Sequence, residues 1–164
     1  MANRKVKFDF NPLTEYWNGD DITRKLDESQ KKSLLDDIAN YVLESVLSRV
    51  GDSSSPVAGQ PARWKGLSAE YAKSIGKKPG APSTLELHGD LLDSIKVVRN
   101  GSGLRLTVDE SEQPKADGHN NFSGKSNLPR RAFVPDEKRG EDFRPDIKEG
   151  IREVIQNFLD DEGV

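Results

Sequence analysis

The sequence predicts an α+β fold in which a small antiparallel sheet packs against two long amphipathic helices, with long extended loops between them. Three observations carry that expectation. Apolar residues alternate along 6–10 and on both sides of Asn100-Gly101-Ser102-Gly103. They recur at three- and four-residue steps along about 22–50 and again along 147–158. Between these stretches lie runs rich in glycine, serine and proline that have no periodicity.

Val6, Phe8 and Phe10 alternate with Lys5, Lys7 and Asp9, as in a half-buried strand, and Asn11-Pro12 ends it. Leu26, Leu35, Ile38, Val42, Val46 and Val50 line one face of a helix over about Ile22 to Val50. Its strongest part begins near Ser29, and Gly51 is the residue best able to take the left-handed cap conformation. Residues 51–63 read as a mobile or partner-ordered loop, and the long loop they belong to extends to about 66. Ser68 can cap a short helix that runs through Tyr71 to about Gly76 and is stopped by Lys77-Lys78-Pro79-Gly80-Ala81-Pro82. Leu85, Leu87, Leu91 and Leu92 form a compact helical turn interrupted at Gly89. Residues 95–99 and 104–108 are the two arms of a hairpin. From Asp109 to Asp142 the chain is polar, with isolated Phe122, Phe133 and Val134, and shows no readable secondary structure. A stretch of that length is often functional. Pro145 suits a first helical turn, and Ile147, Ile151, Val154, Ile155 and Phe158 form the buried stripe of the helix that follows.

The 164 residues suit one domain, 1–164, and only 33% of them are hydrophobic against 32% charged. So thin a core is expected to complete its burial against neighbouring copies. The net charge of -3 argues against a protein whose main task is to coat nucleic acid. Zero cysteines exclude disulfides, a thiol nucleophile and thiolate metal sites. No apolar run exceeds three residues, as at Tyr41 to Leu43 and Ala132 to Val134, and the basic start lacks a signal-peptide core. A soluble protein made inside the cell is expected.

No catalytic, cofactor or metal set emerges. Gly124-Lys125-Ser126 resembles the end of a phosphate-binding loop, but His119 stands where that motif needs its first glycine. His88 with Asp90, and His119 with Asn120-Asn121, are fragments without a partner for acid–base work or a third metal ligand. Arg130, Arg131, Lys138, Arg139 and Arg144 form the only concentrated basic region, interleaved with Phe133 and Phe143. Such a loop could bind a phosphate backbone or stack on bases, which makes a nucleic-acid-binding module the alternative reading. Asp136, Glu137, Glu141 and Asp142 nearly neutralise it, and arginine with aromatics is also the composition of a protein–protein contact. Trp64, Leu67 and Tyr71 read as local core, and the acidic pairs Asp20-Asp21, Asp36-Asp37 and Asp160-Asp161 as solvated helix faces and ends.

The order of four motifs is more specific than any one of them. Trp64-Lys65-Gly66-Leu67-Ser68-Ala69-Glu70-Tyr71 is followed by Leu85-Glu86-Leu87-His88-Gly89-Asp90-Leu91-Leu92-Asp93-Ser94-Ile95. Then come His119-Asn120-Asn121-Phe122-Ser123-Gly124 and Pro129-Arg130-Arg131-Ala132-Phe133-Val134. Together they resemble the virion morphogenesis family of tailed phages, which includes tail-completion and neck proteins. His88 replaces the usual threonine, an extra residue separates His119 from Phe122, Ser123 intervenes before Gly124, and Ala132 replaces a proline. The resemblance implies an α+β, non-enzymatic subunit without cofactors, forming a homo-oligomeric ring, most plausibly a hexamer, at the head–tail junction of a virion. Its other partners would be neighbouring neck, connector or tail-tube proteins. DNA would pass through the ring without specific binding, and no membrane is involved. The assembly residues it implies are Arg130, Arg131, Phe133, His119 and Phe122, with Phe133 as an apolar anchor between subunits and Arg131 as its polar fixing group.

Overall fold

The computed structural model describes residues 5–61, 89–120 and 131–164. The fold is α+β. Its sheet has three antiparallel strands, β1 (Lys7–Phe10), β2 (Ile95–Asn100) and β3 (Gly103–Val108), in the order β1-β3-β2. Phe8 stands opposite Leu106, Phe10 opposite Leu104, Ile95 opposite Val108 and Val97 opposite Leu106, so alternation gathers the apolar side chains on one face. Gly101, at φ +60, supplies the left-handed residue that the two-residue turn between β2 and β3 requires.

Helix α1 (Pro12–Glu15) follows β1 directly and is capped by the Asn11 side chain. Helix α2 (Glu28–Gly51) begins later than Ile22, because the Asp27 carboxylate accepts from the Gln30 amide while the Gln30 side chain accepts from the Asp27 amide. That reciprocal pair closes the helix start. Ile22 and Leu26 are buried all the same, in the turn ahead of it. At the other end Gly51 is still helical, and Ser53, at φ 58, takes the left-handed conformation expected of the glycine.

Helix α3 (Gly89–Ser94) leads into β2, so Gly89 lies in a helix. Helix α4 (Gln113–Asn120) falls in the polar stretch where the sequence shows no periodicity. The last helix, α5 (Pro145–Glu162), starts on its proline and buries Ile147, Ile151, Ile155, Phe158 and Leu159, while Val154 is only partly covered. Helices α2 and α5 run antiparallel: Gln30 meets Glu162 at one end and Arg49 pairs with Asp146 at the other. Midway, Gly150 lets them approach, since a Cβ there would lie 1.7 Å from the Tyr41 hydroxyl oxygen. Helix α2 also lies over β2 and β3. Strands, helices and parts of the loops share one hydrophobic cluster.

Two loops differ from expectation. Ser53, Ser55, Pro56 and Val57 are buried, so the described part of the 51–63 loop is packed and hydrogen-bonded instead of standing free. Ala132, Phe133 and Val134 are fully buried as well. The short helix expected at 68–76 lies outside the described residues.

Candidate assembly segment

The segment 131–136 runs without regular structure through the interior, and polar side chains satisfy its backbone. Asn120, the last residue of α4, does most of this. Its side-chain oxygen accepts from the amides of Phe133 (2.7 Å) and Val134 (2.8 Å), and its nitrogen donates to the Val134 carbonyl at 2.9 Å. One amide side chain thereby replaces a neighbouring strand. The Arg131 amide donates to the His119 carbonyl at 2.8 Å, and the Ser55 hydroxyl donates to the Ala132 carbonyl at 2.5 Å. The same hydroxyl accepts from the Val57 amide, which binds the two irregular segments to one another.

Position depends equally on what precedes and follows. Gln113 opens α4 and holds it to the sheet: its oxygen accepts from the Val6 amide at 2.7 Å, while its nitrogen faces the Val6 carbonyl and the Thr107 hydroxyl at 3.3 Å. Beyond the segment, Asp136 accepts from the Lys138 amide and sits 3.4 Å from the Arg139 guanidinium, folding the 3-10 turn Glu137–Arg139. Residues 142–144 then pair with 56–58 through the amides of Ala58 and Arg144. The Arg144 guanidinium donates to the carbonyls of Ser55, Gln60 and Pro61. Phe143 meets Phe8 and Phe10 edge to face at 5.3 and 5.2 Å.

The fate of the expected assembly residues follows. Phe133 is 0% exposed in the core of its own chain, so it is not an anchor reaching into a neighbour. An aromatic ring beside a fully buried backbone gains more from the existing core than from a partner. Arg131 is 3% exposed and also internal, which removes it as a surface fixing group. His119 is partly exposed and contributes its carbonyl. Phe122 and Arg130 lie outside the described residues. The basic region is likewise dispersed. Arg131 is buried and Arg144 is engaged with carbonyls, which leaves Lys138 and Arg139 as its exposed members among the described residues. Asn120, Ser55 and Gln113 were missed by sequence reasoning, because a polar residue carries no mark of a partner 14, 77 or 107 positions away.

Two charged groups brace the same side of the core. The Tyr16 hydroxyl donates to Asp142 at 2.5 Å; burial pushes this phenol far above its ordinary range, and the carboxylate acts in the same direction. Lys148 stands 3.5 Å from Asp142, and Arg152 donates to the Tyr16 carbonyl. On the outer sheet face, Arg105 grips Asp9 through two nitrogens at 2.6 and 3.1 Å, and that hydrogen bonding holds the Asp9 carboxyl below its usual range. Among the described residues no group of three or more His, Asp or Glu could hold a metal ion, and no helix is long and apolar enough to cross a membrane. Comparison with protein-family models, curated proteins and solved structures found no match.

Proposed function

We propose that this chain is a structural virion protein of a tailed phage: a ring-forming neck or tail-completion subunit that caps the tail end and mediates head–tail joining. The observation that carries the reading is the ordered set of four motifs from Trp64 to Val134. Two features of the fold support it. The architecture is α+β, as the resemblance implies. The last motif is also the segment around which α4, the 53–57 loop and the 142–144 strand-like stretch are organised. In this reading the conserved-looking order of motifs serves the subunit's own shape, and assembly uses surfaces that this shape presents. The ring is a homo-oligomer, most plausibly a hexamer, and its further partners are neck, connector or tail-tube proteins. It acts without cofactor or catalysis, and its overall negative charge lets DNA pass without adsorbing.

The test is genetic and structural together. Removing the gene from the phage that encodes it is expected to leave filled heads and separate tails, and supplying the protein in trans restores joining. Particles that join normally without it, or purified virions that lack the chain by mass spectrometry, overturn the reading.

A further inference from the structure

Two exposed surfaces of opposite charge lie on opposite flanks of the sheet. One belongs to α2. Between Ser33 and Ser48 that helix carries Asp36, Asp37 and Glu44 and no basic residue. All three are exposed, and none makes an ion pair among the described residues. Leu47, exposed despite its size, follows Asp36 at an eleven-residue step, three helical turns along the same stripe. This stripe turns away from α5, because Tyr41 and Arg49, on the other side of α2, are the residues that meet α5. The helix lies over β2 and β3, so the stripe marks the β2 flank.

The other surface lies beyond β1, at the opposite edge of the sheet. There Glu137 accepts the outward amide of Asp9 at 3.1 Å, which fixes the Glu137–Arg139 turn against that edge. Lys138 and Arg139 are exposed on it, and Lys138 makes no ion pair among the described residues.

Resting on the ring reading above, we propose that copies of this chain dock side by side, the Asp36, Asp37, Glu44 and Leu47 face of one against the Lys138 and Arg139 turn of the next. The occupant is a second copy because each chain carries both halves of the match. The contact is head-to-tail because the halves sit on opposite flanks, and repeated contacts of that kind close into a ring when the rotation permits. Charge complementarity sets register and partner choice, and Leu47 gives the contact a desolvated centre.

Charge reversal on each flank tests this with the whole chain. D36K/E44K makes both flanks basic, and K138E/R139E makes both acidic. In sedimentation and native mass spectrometry at low salt, the unaltered chain is expected to self-associate as its concentration rises, and each variant alone to associate more than about tenfold more weakly. An equimolar mixture of the two variants is expected to assemble again, because each reversed flank then meets its opposite, and added salt weakens all these assemblies. Circular dichroism serves as the folding control, since all four sites are exposed. If either variant associates as the unaltered chain does, if the mixture fails to recover, or if the unaltered chain stays monomeric throughout, the proposal is overturned. If charge-dependent assembly occurs but the chain is absent from virions, the phage reading fails and the docking faces stand. If the chain is present in virions and the reversed variants join heads to tails normally, the docking faces fail and the phage reading stands.

Discussion

The strands and long helices of this protein and its irregular segments at 53–57 and 131–136 are equally buried, but by different means. In the first region a periodic apolar pattern faces the core, and the backbone satisfies itself through ladders and helical turns. Ile151 and Leu106 are 0% exposed for that reason. In the second region the backbone has no such partner. It is buried because Asn120, Ser55 and Arg144 donate to or accept from it. Polar composition therefore does not imply exposure. A glycine- or serine-rich loop can join the core when distant side chains capture its amides and carbonyls, and each captured group becomes costly to release.

The comparison can be broken by truncating one residue in each region. Phe133→Ala is expected to lower global stability by about 3–5 kcal/mol, as large as Ile151→Ala at about 2–5 kcal/mol in the periodic frame. Urea unfolding measures both. A loss below about 1 kcal/mol at Phe133 would show that the segment does not share the core.

Asn120→Ala sharpens it, because the change removes partners from the irregular segment and leaves the helices' own bonds intact. The amides of Phe133 and Val134 and one carbonyl lose their bonds, at an expected cost of about 2–4 kcal/mol. Hydrogen exchange at Phe133 and Val134 is expected to accelerate, with the centre of α2 changing least. Uniform acceleration throughout the chain would mean that the segment has no separate means of support.

Tyr16 tests a tie between the two regions, since its hydroxyl binds Asp142 beside the 142–144 stretch. Its folded pKa is raised above the unfolded value of about 10. The stabilisation is therefore fully present below about pH 10 and is lost as pH rises beyond it. Tyr16→Phe is expected to cost about 1 kcal/mol at neutral pH and to flatten the decline of melting temperature above pH 10. An unchanged alkaline limb would contradict the assignment.

The smallest effect is expected at Asp9, on the periodic side. Its folded pKa is lowered by Arg105, so its contribution is present above the unfolded carboxylate range and is lost as pH falls through the folded value. The pair is about one-third exposed, and Asp9→Asn is expected to cost no more than about 1 kcal/mol near neutrality, with the difference from the parent chain vanishing in acid. Acid titration of both chains by circular dichroism checks this.

The candidate site was less legible than the frame around it. Phe133 and Arg131 carry the composition of an interface, yet both are internal, because composition reports what a residue can bind and says nothing of whether its own chain already binds it. Asn120 looked like part of a histidine fragment, and its role depends on a backbone segment thirteen residues on. Helix α4 escaped notice for a related reason: Gln113 and Ala116 are buried in it, but its eight residues include proline and glycine and give no apolar stripe. The acidic Asp36-Asp37 pair was correctly read as a solvated helix face, while its position opposite Lys138 and Arg139 is a property of the folded chain alone.

The sequence by itself determined the elements whose signals are local. The β1 alternation, the hairpin about Gly101, the stripes of α2 and α5 and the Pro145 start all follow from contacts within a few residues or from a repeated period. Those forces act before any distant partner arrives. Tertiary structure decided the rest: the start of α2 at Glu28 in place of Ile22, the left-handed Ser53, and the burial of 53–57 and 131–136. These outcomes depend on hydrogen bonds and packing between groups far apart in sequence, such as Ser55 with Ala132 and Arg144 with Pro61, and no local pattern encodes a partner that only folding brings within 3 Å.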